Sequence, residues 1–381
     1  MCQVGFIKKI AYSIFFSLVI ISVASSSDKA LCEKAFSNVS SVGEHSEPYD
    51  KFLSIEALHK NGRTADIEYL FGEIKAIQPF IASSAISTIA AINDKDLNKR
   101  LFGMAVNLDI NNLIIQNLQY FSLNGSEGFI KEYLESALSP LNQVWAMKAI
   151  AKQGHSSLGY LLKKDYLSYS ANTLVQTYAL YALVKLNVKM FERTQLVLDF
   201  ANNPDPLVRE VAAVILGELE PEESSKMLGH LMKDTNYRVR LSSLVSFTKV
   251  TNGEGKELIL HTLMLNKQPD SELIAGALKR LPANLALDIA NEYISSARSN
   301  EITLRVIESI ASLNGGNATQ LLAWGLQSND VDHVLQSIFA LAARKQINDR
   351  KLLNSLLYSS DKAIWNSASW AYLLFPCKPE D

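Results

Sequence analysis

The sequence lacks the residues and short motifs that mark an active site. It has six histidines and three cysteines in 381 residues, and no two histidines stand at the three- or four-residue spacing of helical metal ligands. Neither a glycine-rich phosphate loop nor a Gly-x-Ser-x-Gly nucleophile motif occurs. These absences predict a protein that holds no metal and no cofactor and is not an enzyme.

The alternation of apolar and polar residues that is typical of half-buried strands is also absent. Helix-forming residues dominate, and with 48% hydrophobic and 20% charged residues the chain has enough apolar material for a folded core. The formal net charge is −2, so the overall field of the protein does not attract nucleic acid. We therefore expect an all-α fold whose partner is a protein or peptide.

A small residue, alanine or serine, recurs inside apolar helical patterns every 28 to 34 positions, and one gap of 61 leaves room for a weaker unit around Asn117. We call these the column residues: Ser54, Ala85, Ala146, Ala179, Ala212, Ser243, Ala275, Ser309, Ser337 and Ser367. Periods of this size are typical of solenoids. The column predicts an α–α superhelix of about eleven stacked helix pairs over residues 48–375, with no sheet.

Prolines and glycines fall where helix ends are expected. Proline is tolerated in the first turn of a helix and disrupts its interior. Five prolines lie six residues before a column residue, where each opens the first helix of a unit: Pro48, Pro79, Pro140, Pro206 and Pro269. Single glycines, replaced in two units by Asn93 and Asn187, come where that helix stops. These positions predict the same helix pairs independently of the column.

Two adjacent units share a short motif, Asp/Asn-x-x-Val-Arg-x-x-Ala/Ser, in Asp205, Val208, Arg209 and Ala212 and again in Asn236, Val239, Arg240 and Ser243. The motif resembles the HEAT repeat, in the short form also seen in bilin-lyase-like proteins. The resemblance covers residues 48–375 by period and about 200–250 by motif. It implies that the acidic residue and the arginine pair between adjacent units, and hence that Arg209 and Arg240 have structural roles.

The first 24 residues have a different composition. Lys8 and Lys9 precede an apolar run over residues 10–24 that ends in small residues, as in a secretory signal peptide cleaved after Ala24. The run has 15 residues, whereas a membrane span needs ~20. We therefore expect an exported protein, periplasmic or secreted, with a net charge of −4 once both lysines are removed. An uncleaved segment that anchors the protein to a membrane is the alternative.

Export would leave two cysteines, Cys32 and Cys377, at opposite ends of the array. Eleven stacked units would span on the order of 100 Å, so a bridge between the two requires strong superhelical closure or a folded-back N-terminal arm. Residues 25–47 are polar enough to form such an arm, although their composition favours disorder. Whether the cysteines are bridged stays open.

The last unit contains four aromatic residues, Trp365, Trp370, Tyr372 and Phe375, and only a short tail, residues 376–381, follows it. The exposed end of a solenoid needs covering. We expect these aromatic side chains to close the core of the array, and a docking patch for a partner is the alternative.

The repeat also predicts a partner-binding surface. Residues 18 positions after a column residue, and those four positions earlier, share one face of the second helix of a unit and are mostly polar. The resemblance to HEAT arrays implies that second helices line the concave side. We call this predicted surface the second-helix ridge: Tyr160, Lys164, Arg193, Lys226, His230, Glu257, His261 and Tyr293. An ordinary solvated face is the alternative.

Two classes of function follow. The first is a noncatalytic exported scaffold or adaptor that binds a protein or peptide along the concave face of the solenoid. The alternative is a bilin-lyase-like enzyme or chaperone that positions a small-molecule adduct in the groove. The absence of catalytic motifs favours the first. The signal peptide counts against the second, because bilin lyases act in the cytoplasm.

Overall fold

The computed structural model is all-α, with no strand among the residues that it describes. The predicted signal peptide and most of the C-terminal tail lie outside those residues. None of the described helices has the length and apolar composition that a membrane span requires. The structure describes residues 28–43, 46–76, 78–105, 108–137, 139–168, 170–189, 193–296, 299–311, 313, 316–375 and 377.

The chain divides into two compact units. Unit 1 combines the two ends of the chain, Met1–Ala65 and Lys345–Asp381, and unit 2 is the middle, Asp66–Arg344. The described helices are numbered α1 to α21 in chain order. Unit 1 holds α1 (Asp28–Ser40), α2 (Pro48–Lys60), 3-10 segments at Ile347–Leu353 and Ser355–Tyr358, and α21 (Lys362–Leu373).

Unit 2 alternates first and second helices. Its first helices are α4 (Pro79–Ile92), α6 (Leu108–Leu118), α8 (Pro140–Gln153), α10 (Thr173–Lys185), α12 (Pro206–Leu216), α14 (Tyr237–Val250), α16 (Asp270–Ala277), α18 (Asn300–Ile310) and α20 (Val331–Arg344). Its second helices are α3 (Ile67–Lys75), α5 (Lys95–Gly103), α7 (Ser126–Ser136), α9 (Gly159–Leu161, continued by the π-helical Leu162–Leu167), α11 (Arg193–Ala201), α13 (Pro221–Leu231), α15 (Lys256–Met264), α17 (Ala283–Ser296) and α19 (Gly316–Leu326).

Each first helix from α4 to α20 packs against the next first helix, and most second helices pack against the first helix that follows them. The column residues of unit 2, from Ala85 to Ser337, are at most 2% exposed. A small side chain is needed at these positions because neighbouring helices meet there. The predicted helix pairs are therefore confirmed in unit 2, whereas α2 and α21, predicted as parts of the first and last repeats of the same array, lie in unit 1.

The weaker unit around Asn117 is also confirmed, because Asn117 lies in α6 and is 4% exposed. Its polar side chain takes the place of a small residue and is satisfied by the preceding first helix. The amide of Asn117 donates to Ser83 Oγ over 3.0 Å, and the Ser87 hydroxyl donates to Asn117 Oδ1 over 2.9 Å. A buried amide costs little when its hydrogen bonds are made in this way.

Helix ends follow the predicted pattern. Pro48, Pro79, Pro140 and Pro206 each occupy the first turn of a first helix, and Pro269 lies one residue before α16. Asn93 ends α4 and Gly154 ends α8 in the left-handed conformation, with φ of 54° and 75°. Glycine adopts that conformation without a Cβ penalty, and asparagine tolerates it better than most residues.

One of the two motif arginines, Arg209, pairs with an acidic residue of the adjacent unit. That residue is Asp234 and not the motif residue Asp205, whose carboxylate accepts from the backbone N–H of Leu207. Arg209 donates from Nε and Nη2 to the two carboxylate oxygens of Asp234, over 2.8 and 2.9 Å. The Arg209 guanidinium holds the pKa of Asp234 below its usual range. Arg240 donates from Nη1 to the carbonyls of Asp234 and Thr235. Both arginines therefore stabilise turns between helices, and unit 2 is an α-solenoid of stacked helix pairs.

Unit 1 contradicts the expectation of a disordered arm, because residues 28–40 form helix α1. Leu31, Ala35 and Val39 recur at helical spacing, are at most 5% exposed, and lie in a helix that packs against α21. A disulfide joins Cys32 to Cys377, whose Cα atoms lie 6.0 Å apart. The folded-back arm that such a bridge requires is therefore present.

The C-terminal aromatic residues close a core, as predicted. Trp370, Tyr372 and Phe375 are at most 9% exposed. Helices α1 and α2 both pack against α21. The indole of Trp370 donates to Glu56 over 2.9 Å, and the Tyr372 hydroxyl donates to Asp28 over 2.8 Å. The N-terminal helices therefore cover the aromatic face of α21 within unit 1.

Candidate functional site

The second-helix ridge is only partly present. Six of its residues are exposed: Tyr160, Lys164, Lys226, His230, Glu257 and His261. Tyr293 is 2% exposed, so its prediction as a surface residue is wrong. Arg193 opens α11, and its side chain lies outside the described part of the structure.

The cause of the error at Tyr293 is a change in loop length. Helix α15 begins thirteen residues after its column residue, Ser243, whereas α17 begins eight residues after Ala275. Each residue turns a helix by about 100°. The residue 18 positions after the column residue therefore does not lie on the same face of every second helix. In α17 that residue is Tyr293, which lies on the buried face.

Two adjoining cavities lie on the first helices instead. One, of about 740 Å³, is lined by residues from Gln119 and Tyr120 and from α8, α10, α12 and α14. The other, of about 480 Å³, is lined by α12, α14, α16, the turn after α16, and α18. Glu210 and Arg238 line both cavities. We call the two together the first-helix groove.

A third cavity, of about 440 Å³, is lined by residues of α5 and α7 and their neighbours. None of the ridge residues lines any of these three cavities. The predicted second-helix ridge therefore coincides with none of these three cavities, although the third lies on other second helices.

The groove side chains share one face of the first helices. In α8, α10, α12 and α14 the first of them lies five residues before the column residue, and the others follow at later helical turns. On α10 this face consists of Leu174, Tyr178, Tyr181 and Lys185. These residues are spaced by three or four positions, so they project on the same side. Sequence reasoning missed them because it followed the second helices. The signal was available two residues after the column, at Lys148 and Tyr181.

The groove carries more positive than negative charge. Three acidic residues line it: Glu210, Glu272 and Glu308. Seven basic residues line it: Lys148, Lys152, Lys185, Arg238, Lys279, Arg280 and Arg305. The whole chain has a formal net charge of −2. The groove is thus locally electropositive, and a cleft with low-dielectric walls strengthens such a field.

All three groove carboxylates are engaged by arginines. Arg238 Nε lies 2.9 Å from Glu210 Oε2. Arg305 pairs with Glu272 at 3.1 Å and with Glu308 at 2.9 Å. These pairs neutralise two of the groove arginines and leave the charge excess on other side chains.

Lys185 is also paired, through Glu218, which accepts from Lys185 over 2.6 Å and from Lys249 over 2.7 Å. Burial raises the pKa of Glu218, but the two lysine hydrogen bonds outweigh burial and hold the pKa below its ordinary value. Four groove cations remain for which no ion pair is found in the described part of the chain: Lys148, Lys152, Lys279 and Arg280.

Arg280 lies partly buried in the turn after α16. Its Nη2 donates to the Ser246 hydroxyl over 2.8 Å. Burial lowers the pKa of Arg280, while the more distant Glu218 and Glu210 act in the opposite direction. An arginine stays protonated in proteins. The groove therefore contains a partly desolvated guanidinium.

Lys148 lies beside aromatic rings in the 740 Å³ cavity of the groove. Its Nζ lies 4.8 Å from the ring centroid of Tyr178, and the rings of Tyr178 and Tyr181 meet edge to face at 6.2 Å. Burial lowers the pKa of Lys148 and raises the pKa of Tyr178 to about 12. The tyrosine hydroxyl is therefore a hydrogen-bond donor at neutral pH.

The arrangement provides hydrogen-bond donors, aromatic faces and cations, which are the elements of a binding surface. Within the described ranges no cluster of three or more His, Cys, Asp or Glu side chains is placed to hold a metal ion.

Two proteins of known structure resemble this chain in part. The structure is similar to a crystal structure of importin beta, with a TM-score of 0.39 and 14% identity over 93% of this chain and 50% of that chain. It is also similar to an engineered protein, with a TM-score of 0.17 and 14% identity over 81% of this chain and 96% of that one. This chain spans about half the length of the importin beta chain. No family model and no curated protein matches the sequence.

Proposed function

We propose that this protein is a noncatalytic exported scaffold that holds a segment of polypeptide in the first-helix groove of unit 2. The observation that carries the proposal is the groove itself, which crosses six consecutive first helices, α8 to α18, and combines tyrosines with cations that have no ion pair. Tyrosine and arginine are the side chains most often found as energetic anchors at protein interfaces.

The dimensions suit an extended peptide. Packed helices lie about 10 Å apart, so six of them present a surface of the order of 50 Å. An extended chain advances by about 3.3 Å per residue, and about 15 residues would cover that length. The groove also has apolar contacts to offer, because Leu141 and Leu207 line it and are 55% and 48% exposed.

The second-helix ridge stays a prediction for a separate contact. The groove is favoured over it because the ridge residues line none of the three cavities. Tyr293, one of its eight residues, is buried.

Export is part of the proposal. The sequence basis is the basic and apolar N-terminal segment, and the disulfide between Cys32 and Cys377 supports it. Disulfides persist in oxidising compartments and are rare in the cytosol. Mass spectrometry of the native protein should find a mature N-terminus close to residue 25. An intact Met1 in the native protein would instead favour a membrane anchor.

Site-specific photocrosslinking tests the groove. A photoreactive phenylalanine analogue is placed at Tyr181 in the groove and, as a matched control, at Tyr160, a tyrosine 73% exposed on a second helix. We expect irradiation in cells to attach a polypeptide to position 181 and not to position 160. The attached segment, once sequenced and synthesised, should bind wild type and should bind Val214→Trp more weakly, because the indole projects into the 740 Å³ cavity.

Two results would contradict the proposal. Crosslinks from position 160 alone would place the partner on the second helices. A small-molecule adduct at position 181, with no polypeptide, would favour the bilin-lyase-like alternative.

A further inference from the structure

Arg280 differs from the other arginines of the groove. Arg238 and Arg305 each pair with glutamates at 2.9 to 3.1 Å. Arg280 is the more deeply placed, and Ser246 Oγ is the acceptor found for it in the described part of the chain. Its guanidinium has five N–H donors in a planar fork. One of these donors bonds to Ser246, and Arg280 lines the groove, where the other donors can meet a ligand.

A partly buried guanidinium such as that of Arg280 destabilises the protein unless an anion binds to it. Removing a charge from water is unfavourable, and pairing with an anion restores much of the lost stabilisation. Glu210 and Glu218 influence Arg280 only over longer distances. The planar fork matches a carboxylate, which it binds through two parallel hydrogen bonds.

We propose that Arg280 binds a carboxylate of the captured polypeptide, and that the segment held in the groove is acidic. The inference rests on the proposed function and names the chemistry of its partner. Lys148, whose Nζ lies over the ring of Tyr178, provides a second position for an acidic side chain in the same groove.

The groove glutamates favour a peptide over a polyanion such as nucleic acid. Glu210, Glu272 and Glu308 lie among the cations along the surface. A nucleic acid carries a charge at every phosphate, so its backbone would meet these carboxylates as well as the cations. A peptide can place acidic side chains at Arg280 and Lys148 and present backbone N–H groups elsewhere, which a carboxylate accepts.

The test uses fluorescein-labelled 15-residue peptides of glycine and serine, which carry either spaced glutamates or glutamines at the same positions. Fluorescence anisotropy reports binding to the full-length protein. We expect the glutamate peptide to bind wild type more tightly than the glutamine peptide. Arg280→Gln should raise the Kd of the glutamate peptide about tenfold or more, because hydrogen bonds between charged groups are strong.

Lys279→Gln is the matched control, because it removes the same charge from the neighbouring residue, which is exposed and also lines the groove. It should raise the Kd less than about threefold, as exposed ion pairs contribute little. Arg280→Lys keeps the charge without the planar fork and should give an intermediate Kd. Circular dichroism shows whether each variant is folded. If Arg280→Gln does not fold, the comparison of Arg280→Lys with wild type tests the inference.

Three outcomes would overturn the inference. Equal effects of Arg280→Gln and Lys279→Gln would mean that only the overall field of the groove matters. Equal binding of the glutamate and glutamine peptides would mean that the partner is not acidic. A heparin oligosaccharide that binds more tightly than the glutamate peptide, and loses affinity with Arg280→Gln, would mean that the partner is a polyanion.

Val214→Trp separates this inference from the proposed function. If it weakens binding of a peptide while Arg280→Gln has no effect, the groove binds polypeptide and the assignment of Arg280 is wrong. If neither variant alters binding of any peptide, both proposals are wrong.

Discussion

Each unit holds a partly or fully buried arginine, and the two differ in what satisfies it. In unit 1, Arg350 is 8% exposed and donates to Asp28 over 3.0 Å and to the sulfurs of Cys32 and Cys377 over 2.9 and 3.0 Å. In unit 2, Ser246 is the one acceptor found for Arg280 among the described residues. The groups bonded to Arg350 come from both ends of the chain and hold these ends together, whereas the Arg280 guanidinium lines the groove.

The same contrast appears among the carboxylates. Glu56 in unit 1 is 4% exposed, and its two carboxylate oxygens accept from Lys60 and from Trp370. Glu210 in unit 2 pairs with Arg238 at the surface of the groove. Unit 1 therefore uses its charged groups to stabilise the ends of the chain, and unit 2 displays several of them in a recess.

The largest expected effect concerns the disulfide. Replacing Cys32 and Cys377 together by serine should destabilise unit 1 by about 2 to 5 kcal/mol, since the bridge joins residues 345 positions apart and restricts the unfolded chain. Hydrogen exchange should show loss of protection in α1 and α21 while α12 and α14 keep theirs. Treatment of wild type with a reductant should reproduce the pattern. Unchanged exchange in α1 would contradict a stabilising role for the bridge.

The contrast between the two arginines can be tested directly. Arg350→Gln should lower the free energy of unfolding by about 1.5 to 3 kcal/mol, because it removes hydrogen bonds between buried charged and polar groups. Arg280→Gln should cost less than about 1 kcal/mol, since a single hydrogen bond to Ser246 is lost. Denaturant unfolding measures both. Equal costs would mean that Arg280 is as structural as Arg350.

Ala212→Leu tests the packing of unit 2. Ala212 is fully buried where first helices meet, so the larger side chain should overpack the contact and cost about 1 to 3 kcal/mol. Ala171→Leu makes the same change at an exposed position of unit 2 and should leave the thermal midpoint nearly unchanged. An unchanged midpoint for Ala212→Leu would mean that the column does not mark the helix contacts.

The column and the helix caps could be predicted because burial between neighbouring repeats imposes the same residue type at a regular period. A structural role for Arg209 could be predicted too, but its partner Asp234 could not, because the motif points to Asp205. Helix α1 could not, because α21, against which it packs, lies more than 300 residues away in sequence and the local composition is polar. The groove was missed for another reason. Whether a side chain lines a recess depends on how successive helices stack. A fixed number of residues, counted from the column residue across a loop of varying length, does not reach the exposed face of every second helix, as Tyr293 shows.

The smallest expected effect is a pH dependence of unit 2. Hydrogen bonds from Arg209 are the main cause of the lowered pKa of Asp234. The folded state therefore binds a proton less readily there than the unfolded state, whose aspartate pKa is about 3.9. The contribution of Asp234 is fully present above that pH and is lost as the pH falls through the lower folded value.

Asp234→Asn removes the titrating group and should flatten this part of the stability profile below about pH 4. It should also remove one of the two hydrogen bonds from Arg209, because an amide NH2 cannot accept, and weaken the other, because a neutral amide oxygen is a poorer acceptor for a guanidinium than a carboxylate. Thermal unfolding from pH 3 to pH 7 measures both effects. If the variant keeps the wild-type slope in acid, other carboxylates control acid unfolding, and the Arg209–Asp234 pair orients the turn without adding pH-dependent stability.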